Sequence, residues 1–88
     1  MVQIEWEPKA ARQLAKIDRR YIKAIIAKVN ELGNWPQQHA DIVKMQDTSN
    51  KYRLRVGDYR VLFEVVDGIP KIIKIQQVLR RSTRTYKH

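Results

Sequence analysis

No cysteine occurs in the chain, which excludes disulfides and thiolate metal sites and points to a reducing cytosol. Histidine is almost missing: His39 and His88 are the only two, and a loop histidine or a terminal one is no convincing general base on its own. No apolar run approaches the roughly 18 residues that span a bilayer, and the opening segment MVQIEWEPKAARQL lacks the apolar core of a signal peptide. These absences predict a soluble, cytoplasmic protein with no membrane partner. Glycine-rich phosphate loops, His and carboxylate clusters at helical spacing and a legible Ser/His/Asp set are also lacking, so neither a metal nor a cofactor is expected. Linkers, repeats and low-complexity stretches are absent too, and residues 1–88 are expected to form one small domain.

Acidic residues are scarce. Nine Asp/Glu stand against eighteen Lys/Arg, a net charge of +9. Residues 1–50 carry eight cations and six anions, whereas residues 51–88 carry ten and three, so +7 of the charge lies in the C-terminal part. Such a field attracts nucleic acid, an anionic membrane or an acidic protein. Membrane is the weakest of these, because no helix joins the basic residues to a large apolar aromatic face.

What is present is organised around KYRLRVGDYRVLFEVVDGIPKIIKIQQ, residues 51–77. Gly57-Asp58 between alternating apolar runs suits a type II′ hairpin turn, in which Gly takes the positive φ. That register sets Val56 opposite Tyr59, Arg55 opposite Arg60 and Leu54 opposite Val61, and period two collects Arg53, Arg55 and Arg60 on one side of the sheet. Like charges directly opposite each other cost stability. A polyanion that binds there accounts for their retention; the alternative is a solvated face with long Arg stems splayed apart. A second hairpin with an odd loop, Asp67-Gly68-Ile69 carrying a bulge, puts Ile73 and Ile75 in the core with Leu54, Val61 and Phe63, and Lys74 and Gln76 on the basic face.

Upstream, Val2 to Trp6 alternates as a strand, and Glu7-Pro8 starts a helix with Ala11, Leu14, Ala15 and Ile17 on its apolar face. Asp18 is a candidate N-cap for a second helix, whose Ile22, Ile25, Ile26, Val29 and Leu32 follow helical spacing until Gly33. Trp35 lies in a polar loop, and Ile42 to Met45 is a short strand or a turn. Three strands follow, over about 51–56, 59–66 and 70–78. The predicted class is α+β with order β-α-α-β-β-β, two N-terminal helices packed on one face of a small, mainly antiparallel sheet.

The chemistry this pattern supports is phosphate binding. Arg80, Arg81 and Arg84 follow the last strand, and Tyr86 lies near the end of the sequence. Guanidinium forks hold phosphate bidentately and an aromatic ring stacks on an unpaired base, a combination that suits single-stranded RNA. Cleavage would then be internal: the ribose 2′-OH attacks the adjacent phosphorus while the protein aligns the groups and neutralises developing charge. Glu64 either pairs with a strand cation or serves as a base.

KYRLRVGDYRVLFEV followed by IIKIQQVLRRSTRTY resembles the RelE/ParE superfamily of toxin-antitoxin toxins, and is most similar to the RelE-type mRNA interferases. The resemblance implies a RelE-like fold, metal-independent cleavage of mRNA in the ribosomal A site with contacts to ribosomal RNA, and a hetero-oligomer with a small acidic antitoxin that neutralises the toxin. It further implies that Arg53, Arg55 and Arg60 bind phosphate and stabilise the transition state. Arg81, or Arg80, would stabilise the leaving 5′-oxygen, and Tyr86 would stack on a base. Lys51, Lys74, Arg80 and Arg84 are the expected accessory RNA contacts. In the family the two basic strand residues include lysines, whereas Arg53 and Arg55 cannot deprotonate, so neither is a general base. The competing expectations are a ParE-like inhibitor of DNA gyrase that works by binding alone, and an inactive relative whose basic face only holds an antitoxin.

Overall fold

A computed structural model of the chain describes residues 2–36 and 41–80. The elements are β1 (Val2–Trp6), α1 (Pro8–Ala15), α2 (Arg19–Glu31), a 3-10 turn (Leu32–Asn34), β2 (Ile42–Lys44), β3 (Lys51–Val56), β4 (Tyr59–Val66) and β5 (Lys71–Arg80). The strands make one sheet in the order β1-β5-β4-β3-β2, antiparallel except for the parallel β1 and β5 pair. The α+β arrangement read from the sequence is the one adopted, with Ile42–Lys44 added as an edge strand on β3. That segment is too short, and too exposed at Val43 and Lys44, for alternation to reveal it.

Helix α1 begins at Pro8, where the missing N–H would have no intrahelical partner. Ala10 is its fully buried residue, with Leu14 half-buried against the core; Ala11 and Ala15, expected on the apolar face, are exposed. The helix meets β5 through the smaller side chain and is rotated accordingly. In α2, Ile25 and Val29 are buried as the spacing predicts, and Leu32 follows them into the core from the 3-10 turn. Asp18 caps this helix, its Oδ1 accepting the Arg20 backbone N–H at 2.9 Å. The Arg20 side chain also donates to the same carboxylate, and this bond first, with the backbone one second, holds the Asp18 pKa below its ordinary value.

A carboxyl whose pKa is depressed by folding adds stability above its unfolded value and loses it as the pH falls through the folded one. Asp18→Ala should therefore lower the melting temperature near neutral pH, and the gap to the parent should close in acid. Thermal unfolding followed by circular dichroism across the acid range checks this.

The core lies between the helices and one face of the sheet. Leu54, Val61, Phe63, Ile73, Ile75 and Val78 point into it from the three long strands. Trp35 packs beneath its loop, edge-on to both Tyr52 at 4.9 Å and Phe63 at 5.6 Å, while Tyr52 and Phe63 stack across β3 and β4. Gly57 has φ +57 and Asp58 does not enter the positive region, the signature of the II′ turn; Val56 pairs with Tyr59, Arg55 with Arg60 and Leu54 with Val61.

The second hairpin has the expected parity and a different construction. Val66 pairs with Ile72, so five residues separate the paired positions where three were expected. The bulge is in the strand and not in the loop: Phe63 pairs with Ile75 and Leu62 with Gln77, leaving Gln76 unopposed. The cause is the apolar pattern of β5. Ile73 and Ile75 share a face at period two, but the next apolar residue on the same side is Val78, and one extra residue must be absorbed to bring it inward.

Candidate functional site

On the side of the sheet turned away from the helices, side chains line up in rows across the strands. The row next to the Gly57 turn is Arg55, Arg60 and Leu79. The second is Val43, Arg53, Leu62 and Gln77. The third is Lys51, Glu64, Lys74 and Glu5, alternating in charge across four strands. The basic character read from the sequence is therefore confined to the first two rows, because cations and carboxylates balance in the third.

The three arginines differ in how free they are. Arg55 Nε and Nη2 donate to Asp41 Oδ1 at 3.0 and 2.8 Å, and the Arg55 backbone N–H donates to the Asp41 carbonyl at 2.8 Å. Lys28 of α2 lies 3.7 Å from the other carboxylate oxygen, so Asp41 clamps the β2 edge between helix and sheet. Arg53, half-buried, and Arg60, exposed, make no ion pair with any described residue. Leu62 stands opposite Arg53 and the part-exposed Leu79 opposite Arg60, an apolar surface beside two open guanidinium forks.

Glu64 bonds to no strand cation. Its Oε2 accepts from Asn50 Nδ2 at 2.9 Å and its Oε1 from Gln76 Nε2 at 3.0 Å, and Gln76 Nε2 also lies 3.5 Å from Glu7 Oε2. The bulge makes this possible by freeing Gln76 from strand alternation. It has a second consequence further along. Arg80 pairs with Tyr59, whose ring is buried on the helix side, and Arg80 Cζ lies 6.0 Å from that ring centroid. Arg80, expected among the RNA contacts, thus faces away from Arg53 and Arg60, and Leu79 takes the place opposite Arg60.

A family model described as "ParE toxin of type II toxin-antitoxin system, parDE" matches residues 4–84. The chain belongs to this toxin family. A chain of the archaeal RelE-RelB complex from Pyrococcus horikoshii OT3 is 24% identical over 92% of this toxin and 96% of that chain, with a TM-score of 0.75. A chain of the RelB-RelE antitoxin-toxin complex from Methanococcus jannaschii is 26% identical over 86% and 88%, at a TM-score of 0.69. The YoeB/ParE toxin from Agrobacterium tumefaciens is 13% identical over 91% and 99%, at a TM-score of 0.73. No match is found among curated proteins. The fold of the toxin is RelE-like and its superfamily is RelE/ParE.

Of the toxin's expected site residues, Arg53, Arg55 and Arg60 share the face away from the helices, and Lys51 and Lys74 share its charge-balanced row. Arg81, Arg84 and Tyr86, with His39 and His88, lie outside the described residues. Asp41 was missed by sequence reasoning, and Gln76, expected on the basic face, was not foreseen as the bulge residue. Nothing local marks Asp41, which meets Arg55 from fourteen positions away; the bulge at Gln76 was legible as the break in period two between Ile75 and Val78. Among the described residues no group of three or more His, Asp or Glu side chains is placed to hold a metal ion, and no helix is long and apolar enough to cross a membrane.

Proposed function

We propose that this toxin is a ribosome-dependent endoribonuclease, cleaving mRNA in the ribosomal A site and neutralised by a small acidic antitoxin. The observation that carries the reading is that Arg53 and Arg60, on neighbouring strands of one face, have no carboxylate partner among the described residues. Two permanently charged forks beside an apolar surface fit a phosphodiester with its ribose and base. Attack by the 2′-OH forms the O2′ to phosphorus bond, breaks the bond from phosphorus to O5′, and leaves a cyclic phosphate and a free 5′-OH. Arg53 and Arg60 hold the phosphate and stabilise charge in the transition state. Arg55, already bound to Asp41, supports them by position more than by contact. Arg81 neutralises the leaving oxygen and Tyr86 stacks on a base. Lys51, Lys74 and Arg84 add weaker backbone contacts, since Lys51 and Lys74 share their row with carboxylates.

Primer extension on a translated message after brief induction tests this. Cuts at codon-spaced positions, lost when translation initiation is blocked, are the expected result. A binding-only reading, inhibition of DNA gyrase without catalysis, is favoured by one observation: the matching family model is that of ParE toxins. Intact messages together with inhibited supercoiling would select it.

A further inference from the structure

A second cationic cluster lies on the opposite side of the sheet, where the Gly57 hairpin meets the start of α2. Arg20 Cζ is 5.4 Å from the Tyr21 ring centroid, the Tyr21 and Tyr59 rings are 5.6 Å apart, and Arg80 Cζ is 6.0 Å from Tyr59. Side chains from α2, β4 and β5 therefore adjoin one another in the order Arg20, Tyr21, Tyr59, Arg80, with the two tyrosine rings tilted at 47°. They border a cleft of about 460 Å³ that Lys16 joins at the rim and to which Ile17 and Val78 contribute apolar surface.

We propose that this cleft docks an acidic polypeptide, through carboxylates flanking an aliphatic side chain. The inference rests on the reading above that an acidic protein partners the toxin, and adds where it binds. Charge is the first argument. Lys16, Arg20 and Arg80 face a single carboxylate, Asp18, which is bonded to Arg20; Lys16 and Arg80 have no anionic partner among the described residues. Geometry is the second. Arg80 Cζ lies over the Tyr59 ring at 6.0 Å, a contact that restrains the side chain at the cleft, and a guanidinium held there binds a carboxylate bidentately at less conformational cost than a freely rotating one. Shape is the third. The Tyr59 ring is buried between Tyr21 and Arg80, which leaves Tyr21 as the exposed ring of the cleft, flanked by Arg20, while Ile17 and Val78 give the apolar lining that suits a Leu or Ile side chain.

The test uses the full-length toxin in NMR titrations with a short synthetic peptide alternating Glu and Leu, and separately with oligouridylate. The peptide should shift the resonances of Tyr21, Tyr59 and Val78. Lys16→Gln with Arg80→Gln should weaken it about tenfold or more, Arg80→Lys should weaken it less, and Arg53→Gln with Arg60→Gln should leave it unchanged. Melting temperatures of the variants identify any that misfold, and Arg80→Lys keeps the charge while removing the fork. Peptide binding that ignores the Lys16 and Arg80 pair overturns the proposal. So does oligouridylate that shifts the same residues and depends on the same pair, which would make the cleft an RNA contact. Because primer extension reads the other face, failure of the ribonuclease reading and failure of this one are separate results.

Discussion

Arg60→Gln should lower cleavage of a translated message by about 100-fold or more while the melting temperature stays level or rises. Loss of one preorganised donor to a developing oxyanion typically costs about 10²–10³ in rate. Arg60 has no ion pair among the described residues and stands directly opposite Arg55, so neutralising it breaks no bond seen in the fold and relieves like-charge repulsion of about 0.2–1 kcal/mol. A residue retained for structure would move both quantities down together. Arg53→Gln is expected to lower cleavage similarly with a level melting temperature, since Arg53 has no ion pair among the described residues and stands opposite Leu62 and Val43, not another cation. Arg55→Gln should do the reverse, with a smaller loss of activity and a lower melting temperature, because it removes the charged fork that holds the Asp41 carboxylate at the β2 edge. Growth inhibition, quantified primer extension and thermal unfolding on the three variants distinguish these patterns. Undiminished cuts in the Arg53→Gln, Arg60→Gln double variant would remove the basis for assigning catalysis to this face.

Phe63→Ala is expected to unfold most of the protein at physiological temperature. Phe63 is fully buried at the centre of β4, in contact with Trp35 and Tyr52. Truncating such a ring costs about 3–5 kcal/mol, the lost transfer energy plus the cavity left behind. A chain of this length has only about 4–13 kcal/mol in total. Phe63→Leu, which keeps most of the volume, should cost about 1–1.5 kcal/mol. Urea denaturation followed by tryptophan fluorescence measures both, since Trp35 lies against the altered ring. A loss under about 1 kcal/mol for the alanine variant would mean that the core collapses around the gap, against the expectation for a close-packed interior.

The contrast between the two arginine neighbours shows where sequence reasoning stops. That Arg55 faces Arg60 follows from Gly57-Asp58 alone, because a two-residue II′ turn admits one register. That Arg55 is spent on Asp41 while Arg60 is open follows from nothing near either residue. It depends on β2, three residues long, pairing with β3 so that Asp41 arrives beside Arg55. Arg80 is a parallel case. Counting in twos from Ile75 places it on the wrong side of the sheet, and the unopposed Gln76 reverses the count.

The chain's own pattern determined the α+β class, the helix stripes, the tight hairpin and the gathering of Arg53, Arg55 and Arg60 on one side, since turns and periodicities act over a few residues. Only the tertiary structure decided which of those cations are neutralised, where Arg80 points, and that β1 lies parallel to β5 at the far edge. Those outcomes depend on contacts between segments distant in sequence, where one bulge or one short edge strand changes the face or the partner of a side chain without leaving a clear local trace.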